Sequence, residues 1–281
     1  MNTLGVHALV WVGDWTPASA RTAIESTRAA GYDLIEIPIL EPESFDIATT
    51  RKLLADSGLA AICSLGLDES TDVSSEDPAV VRRGRERLAA AVEVAAGIGA
   101  TDLAGVLYSR LGKYPRPITP RSREHVVESM RWLAGEATAA GLRLNLEVVN
   151  RYESNVVNTA GEMLALIDEV GAPIGVHLDT YHMNIEENGM VEPVLQTGDR
   201  LGYVHIGESH RGYLGTGTVD FDSFFAALRR TGYAGPITFE SFSSAVVHPE
   251  LSNTLAVWRN LWDDGADLAR HARAFMAERL R

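Results

Sequence analysis

Short apolar runs alternate with longer helical patterns from one end of the chain to the other, eight times and in the same order. The runs are Gly5–Val10, Asp33–Leu40, Leu59–Leu65, Thr101–Tyr108, Leu142–Val148, Ile174–Leu178, Gly202–Ile206 and Pro236–Phe239. Helical patterns lie between them at Pro17–Ala30, Ile47–Asp56, Pro78–Ile98, Arg121–Ala140, Thr159–Val170 and Phe221–Arg230. The stretch Pro193–Gly198 is looser, and Leu251–Arg279 closes the chain as one or two helices. Strands that alternate with helices favour a parallel sheet covered by helices. Eight is also the number of such units that closes a barrel. An open, doubly wound sheet is the alternative, but no GxGxxG follows the first apolar run. Neither a composition break nor a low-complexity linker divides the chain. The expectation is therefore an α/β fold, a (β/α)₈ TIM barrel, with residues 1–281 as a single domain.

Composition narrows the function classes. The 281 residues are 46% hydrophobic and 22% charged, which excludes a disordered, collagen-like or disulfide-rich chain. With 25 basic against 38 acidic residues, the formal net charge of −13 repels phosphate backbones and anionic lipid. Neither nucleic acid nor a membrane is expected as a partner, and no apolar run approaches the roughly 20 residues of a membrane helix. Met1 to Val10 lacks the pattern of a secretory signal. The single cysteine, Cys63, fits a reducing compartment, so a cytoplasmic location is expected.

In a barrel of this kind chemistry sits at the carboxyl ends of the strands. There the last four strands carry Glu147, Asp179, His205 and Glu240, spaced 32, 26 and 35 residues apart, about one βα unit each. Three carboxylates and an imidazole on one rim make a hard, oxygen-rich site suited to Mn²⁺, Mg²⁺ or Co²⁺. The adjoining loops add Glu153, His182 and Arg211, either as supports of such a site or as partners for polyol hydroxyls. His7, Trp11 and Trp15 cluster at the exit of the first strand, either as sugar-stacking groups or as ordinary loop packing. Gly215-Thr216-Gly217 reads as a tight turn ahead of Asp220, which caps the next helix, rather than as a phosphate cradle.

The runs Glu147-Val-Val-Asn-Arg-Tyr-Glu153, Leu178-Asp-Thr-Tyr-His-Met-Asn-Ile-Glu-Glu187, His205-Ile-Gly-Glu-Ser-His-Arg211, Gly215-Thr-Gly217 and Thr238-Phe-Glu-Ser241 carry a resemblance. The chain resembles the ketose 3-epimerases of the D-tagatose, D-psicose (allulose) and L-ribulose type, within the xylose-isomerase-like barrels. The likeness covers most of the chain and is densest from Leu142 to Ser241. It implies one divalent ion per chain, commonly Mn²⁺, on Glu147, Asp179, His205 and Glu240. It also implies that Glu153, His182 and Arg211 hold O1 and O2 of a free ketose, and that the chain forms a homodimer or homotetramer. The segment Tyr108-Ser-Arg-Leu-Gly-Lys113 departs from the pattern, since some relatives carry His-Ser-Tyr-Trp there, and the preferred ketose stays open.

Epimerisation at C3 needs a proton removed on one face and returned on the other. Glu147 and Glu240, on the fifth and eighth strands, are the natural pair of bases. Rival readings are a hydroxypyruvate or inosose isomerase, an inosose dehydratase, a metal-dependent endonuclease and a non-catalytic sugar-binding protein. The net charge speaks against the endonuclease. A sugar phosphate is disfavoured, because Arg211 is the one evident phosphate partner.

Overall fold

The structure is a computed structural model that describes residues 2–281. Eight parallel strands close in chain order into a barrel: β1 (Leu4–His7), β2 (Leu34–Pro38), β3 (Ala60–Ser64), β4 (Asp102–Gly105), β5 (Arg143–Glu147), β6 (Gly175–Asp179), β7 (Leu201–Ile206) and β8 (Ile237–Phe239). Outside them run α1 (Pro17–Ala29), α2 (Ile47–Ser57), α3 (Pro78–Ile98), α4 (Pro120–Ala139), α5 (Ala160–Val170), α6 (Thr180–Glu186), α7 (Glu192–Thr197), α8 (Phe221–Thr231), α9 (Pro249–Thr254) and α10 (Gly265–Arg279). The (β/α)₈ expectation therefore holds. Among the described residues no helix is long and apolar enough to cross a membrane.

The helix starts follow side-chain chemistry. Thr16, Asp46, Asp77, Thr119 and Asp220 each accept a backbone N–H of the first turn, and Pro follows directly in three of these cases. Thr159 and Glu162 form a reciprocal capping box on α5. Helices α2 and α5 stop at Gly58 and Gly171, whose φ angles of 69° and 65° suit glycine.

Three expected boundaries change. The first strand ends at His7, not Val10, because Ala8–Val10 winds into a 3₁₀ turn whose Leu9 N–H donates to His7 Nδ1. Pro193–Gly198 is no loose stretch but mostly helix α7, opened by Glu192 and Pro193. The closing segment is two helices, parted by residues 255–264. Helix α6 was not expected at all; Asp179 caps it directly from the end of β6.

Most of the core lies between strands and helices. Inside the barrel a small cluster of Leu34, Ile62, Ala104 and Tyr203 fills the middle. Below it, Asp102 accepts from Arg143 and Asn145, tying β4 to β5. Toward the carboxyl ends the interior turns polar, with Glu36, His177, His205 and Glu147 all buried.

Candidate active site

Strand alternation points every second side chain inward, and at the carboxyl rim this brings the four residues of the spacing pattern together. His205 Nδ1 lies 3.4 Å from Glu240 and 3.7 Å from Glu147. Asp179, His205 and Glu240 offer ligand atoms within 4.8 Å of one another, and Glu147 lies with Asp179 and His182 in a second cluster of the same span. His205 Nδ1 is buried and has no hydrogen-bond partner. A buried donor set of this kind is chemically suited to a cation. Glu147, Glu153, Asp179 and Glu240 are all buried, and the Arg211 guanidinium pairs with Asp179 and Glu240. Burial pushes the Glu147 carboxyl well above the usual range; His205 pulls the other way, while Glu240 and Asp179 add to the rise. Burial likewise raises Glu153, with Arg211 opposing. The residues present thus fit a divalent ion, whose charge would let these carboxylates ionise together.

Arg211 reaches Asp179 Oδ2 at 3.1 Å and also bonds Glu240. Burial works against its charge, but Glu240, Asp179 and Glu153 hold it protonated. Its backbone sits at φ 62°, an uncommon conformation for a non-glycine residue. Ser241 Oγ holds that backbone through the Arg211 carbonyl, and Trp262 Nε1 donates to Ser241 Oγ at 2.8 Å. The guanidinium stacks on Tyr181 at 3.7 Å. Such strain, locked from several sides, is common where function needs one orientation.

His182 has a defined tautomer. The Asn150 backbone N–H donates to its Nδ1 at 3.2 Å, so Nε2 carries the proton. That proton faces Glu147 and Asp179, each at 3.6 Å, and Glu153 at 3.9 Å. The 3.4 Å approach of Arg211 Nη2 is therefore a contact between two donors, not a hydrogen bond. Burial pushes the imidazole down to about 3, against Asp179, so it is a neutral donor. The Asn150 amide bonds both His182 Nδ1 and Glu153 Oε1, each at 2.8 Å. Tyr152 N–H donates to Asn150 Oδ1 at 2.9 Å and fixes which way that amide points. Asn150 is thus a site residue whose role the sequence alone does not show.

The residues of the first strand exit end up elsewhere. His7 Nε2 faces Glu36 at 3.6 Å, and its ring meets Phe242 edge-on. Trp11 donates its indole N–H to Thr27 on α1, and Trp15 donates to Thr50 on α2 while stacking on Phe45. Both indoles are anchored to helices, so any sugar contact would use what remains of their faces.

Loop chemistry settles two further points. Glu208 accepts from the N–H groups of Ser209, Gly215 and Val219, so the amides a phosphate would use are taken. Gly215 has φ 81°, as the tight-turn reading requires. The divergent segment after β4 is stitched over the site: Tyr108 donates to the Glu147 carbonyl at 2.7 Å, and Gly112 N–H to that of Glu153 at 2.8 Å.

Comparison with known proteins shows the same fold and a family. The family described as xylose isomerase-like TIM barrel matches residues 24–278. An L-ribulose 3-epimerase of Methylomonas sp. (strain DH-1) is 58% identical over 98% of this chain and 96% of its own. A ketose 3-epimerase of Arthrobacter globiformis is 53% identical over 99% and 96%. The crystal structure of a D-allulose 3-epimerase from Methylomonas sp. in complex with D-allulose superposes with a TM-score of 0.97 at 57% identity, covering 99% of this chain and 97% of that one. The chain belongs to the xylose isomerase-like TIM barrels and, within them, to the ketose 3-epimerase family. It is accordingly an enzyme of the isomerase class.

Proposed function

We propose that the protein epimerises free ketoses at C3, with L-ribulose and D-allulose as the first substrates to test, using one divalent ion held by Glu147, Asp179, His205 and Glu240. The observation that carries the reading is that these buried carboxylates and the unpartnered His205 Nδ1 fall in overlapping clusters at one rim of the barrel. The relatives named above are called L-ribulose, ketose and D-allulose 3-epimerases, which supports the substrate class. A divalent ion bound there supplies Lewis-acid polarisation of the C2 carbonyl and so acidifies the C3 proton; the donor set suits Mn²⁺ first, and Co²⁺ or Mg²⁺ as well.

The chain's own residues do the rest. Glu147 and Glu240 approach His205 from different strands and would face opposite sides of C3. One takes the C3 proton while the other delivers a proton to the opposite face, and the roles swap with direction. His182, a neutral Nε2–H donor, and Arg211 would donate to substrate oxygens and stabilise the charge that develops on O2. Glu153, oriented by Asn150, would accept from the O1 hydroxyl. His7, Trp11 and Trp15 are kept as sugar contacts of lesser weight. Free sugars are favoured over phosphate esters, since Arg211 is already engaged by two carboxylates and Glu208 occupies the loop amides.

The test is turnover of L-ribulose, D-allulose, D-fructose and D-tagatose with Mn²⁺, run in D₂O and followed by chromatography and NMR. Deuterium at C3 of the product is expected. An aldose product, or full activity after exhaustive metal removal, would reject the reading. The proposal also takes residues 1–281 as one cytoplasmic domain that associates into a homodimer or homotetramer. Cell fractionation checks the location; a single 30.5 kDa species in sedimentation at all concentrations would contradict association.

A further inference from the structure

Beneath the rim, inside the barrel, lies a fully buried carboxylate that takes no direct part in the reaction proposed above. Glu36 sits in the middle of β2, at 0% exposure. Its Oε2 lies 2.5 Å from His205 Nε2 and 2.5 Å from the Tyr203 hydroxyl, which in turn meets Thr238 Oγ1 at 2.6 Å. Its Oε1 has no hydrogen-bond partner and faces His7 Nε2 at 3.6 Å. His7 Nδ1 accepts the Leu9 N–H, so His7 presents an N–H toward Glu36. His205 itself is walled by His177, whose ring stands perpendicular to it at 4.1 Å.

We propose that Glu36 is a positioning residue: it accepts a hydrogen bond from the Nε2–H of His205 and thereby reserves Nδ1 for the divalent ion. This rests on the metal reading above. An imidazole has two ring nitrogens and two neutral tautomers. Only the one with the proton on Nε2 leaves a lone pair on Nδ1, beside Glu147 and Glu240. A carboxylate on the far nitrogen selects that tautomer, fixes the ring and strengthens the donor nitrogen. A fully buried carboxylate 2.5 Å from the far nitrogen of the imidazole is placed for that task. Tyr203 and Thr238 fix the carboxylate in turn.

The experiment is calorimetric titration of the metal-free protein with Mn²⁺, for the unmodified chain, Glu36→Gln and Tyr203→Phe. The Gln variant should bind Mn²⁺ about 10- to 100-fold more weakly, the usual effect of losing such a partner. Its kcat should recover when Mn²⁺ is raised above the new Kd, which a merely structural defect would not allow. Tyr203→Phe, which keeps the Glu36–His205 pair, should lose less affinity than the Gln variant. A Glu36→Gln protein that folds and binds Mn²⁺ within about twofold of the unmodified protein overturns the proposal. Should that variant fail to fold, ¹⁵N-histidine NMR of the unmodified protein loaded with Mg²⁺ decides it. A proton on His205 Nε2 and none on Nδ1 supports the assignment, and a proton on Nδ1 overturns it. If the unmodified protein binds no divalent ion, the metal reading falls and this inference with it. If it binds the ion and the Gln variant binds equally, only this inference falls.

Discussion

At the scale of single residues, the two proposed bases stand in different settings. Glu240 is bonded to Arg211, whereas burial and neighbouring carboxylates hold Glu147 toward its protonated form. Replacing either by Gln keeps its size and removes the base, and kcat should fall by roughly 10²–10⁴. Metal content has to be measured beside the rate, since each Glu is also a proposed ligand. A variant that keeps its ion, loses epimerisation and still exchanges the C3 proton of one epimer would show one base working alone. Near-normal turnover in a metal-loaded variant would remove that Glu from the mechanism. Asn150→Ala should act more gently. It deletes the amide bonds to Glu153 and His182, while the backbone N–H still holds Nδ1. A KM increase of roughly 2- to 13-fold is expected from losing the bond to Glu153, at about 0.5–1.5 kcal/mol for one hydrogen bond. An unchanged KM would mean that Glu153 is oriented by something else. The ligand-type residues were legible because strand ends repeat about once per βα unit. Glu36 and Asn150 were not. Glu36 lies inside the apolar run Leu34-Ile-Glu-Ile-Pro38, away from any strand end, and its partner His205 is 169 residues distant. The one available signal was an acidic side chain at the same inward phase as Leu34. Asn150 gives its role away only through the Tyr152 amide that orients it.

At the scale of elements, the eightfold alternation was readable because strand and helix patterns differ in length and period, and because caps mark most helix starts. The misread pieces have a common cause. Ala8–Val10 continues the apolar run of β1, so nothing in its pattern announces that the chain coils there. Helices α6 and α7 are a few residues long, too short for periodicity to show; Asp179 and Pro193 were the usable start signals. Strand spacing at the bottom of the barrel depends on close contact. Asn145 packs where β6 and β7 carry Gly175 and Gly202, and a Cβ on Gly202 would lie 1.9 Å from Asn145 Oδ1. Gly202→Ala should therefore destabilise by about 1–3 kcal/mol through overpacking. The amino-terminal end of a barrel serves stability and the carboxyl end serves catalysis. The folded variant should accordingly keep its kcat, and urea denaturation beside steady-state kinetics checks both halves. Intact stability would mean that Asn145 repacks freely; lost kcat with intact stability would break the separation of the two ends.

At the scale of the whole molecule, buried imidazoles give the fold a calculable dependence on pH. His7, His177 and His182 are lowered from 6.5, each by burial first, so between their folded values and 6.5 the unfolded chain binds more protons than the native one. Their contribution is complete above 6.5 and is lost as pH falls, for His182 down to about 3. His205 runs the other way. Burial would lower it, but Glu36, Glu240 and Glu147 raise it to about 10, so its contribution is complete below 6.5 and is lost as pH climbs toward 10. The imidazole contributions of the metal-free protein should thus sum to a maximum near neutrality and weaken on both sides. A bound ion alters only one limb. A proton on His205 Nδ1 must leave for a cation to bind there, and the same holds for a protonated Glu147. The gain from the ion should therefore grow as pH rises through the neutral range toward 10. At an ion concentration of about 100 Kd the stabilisation is roughly 2.7 kcal/mol. For a domain of this size that corresponds to a Tm rise of about 5–10 °C. Thermal unfolding with and without Mn²⁺ across the neutral to alkaline range measures it. A Tm difference that stays constant with pH would mean that no proton leaves on binding and would remove His205 from the ligand set; a difference that widens ties the ion to the imidazole that Glu36 holds.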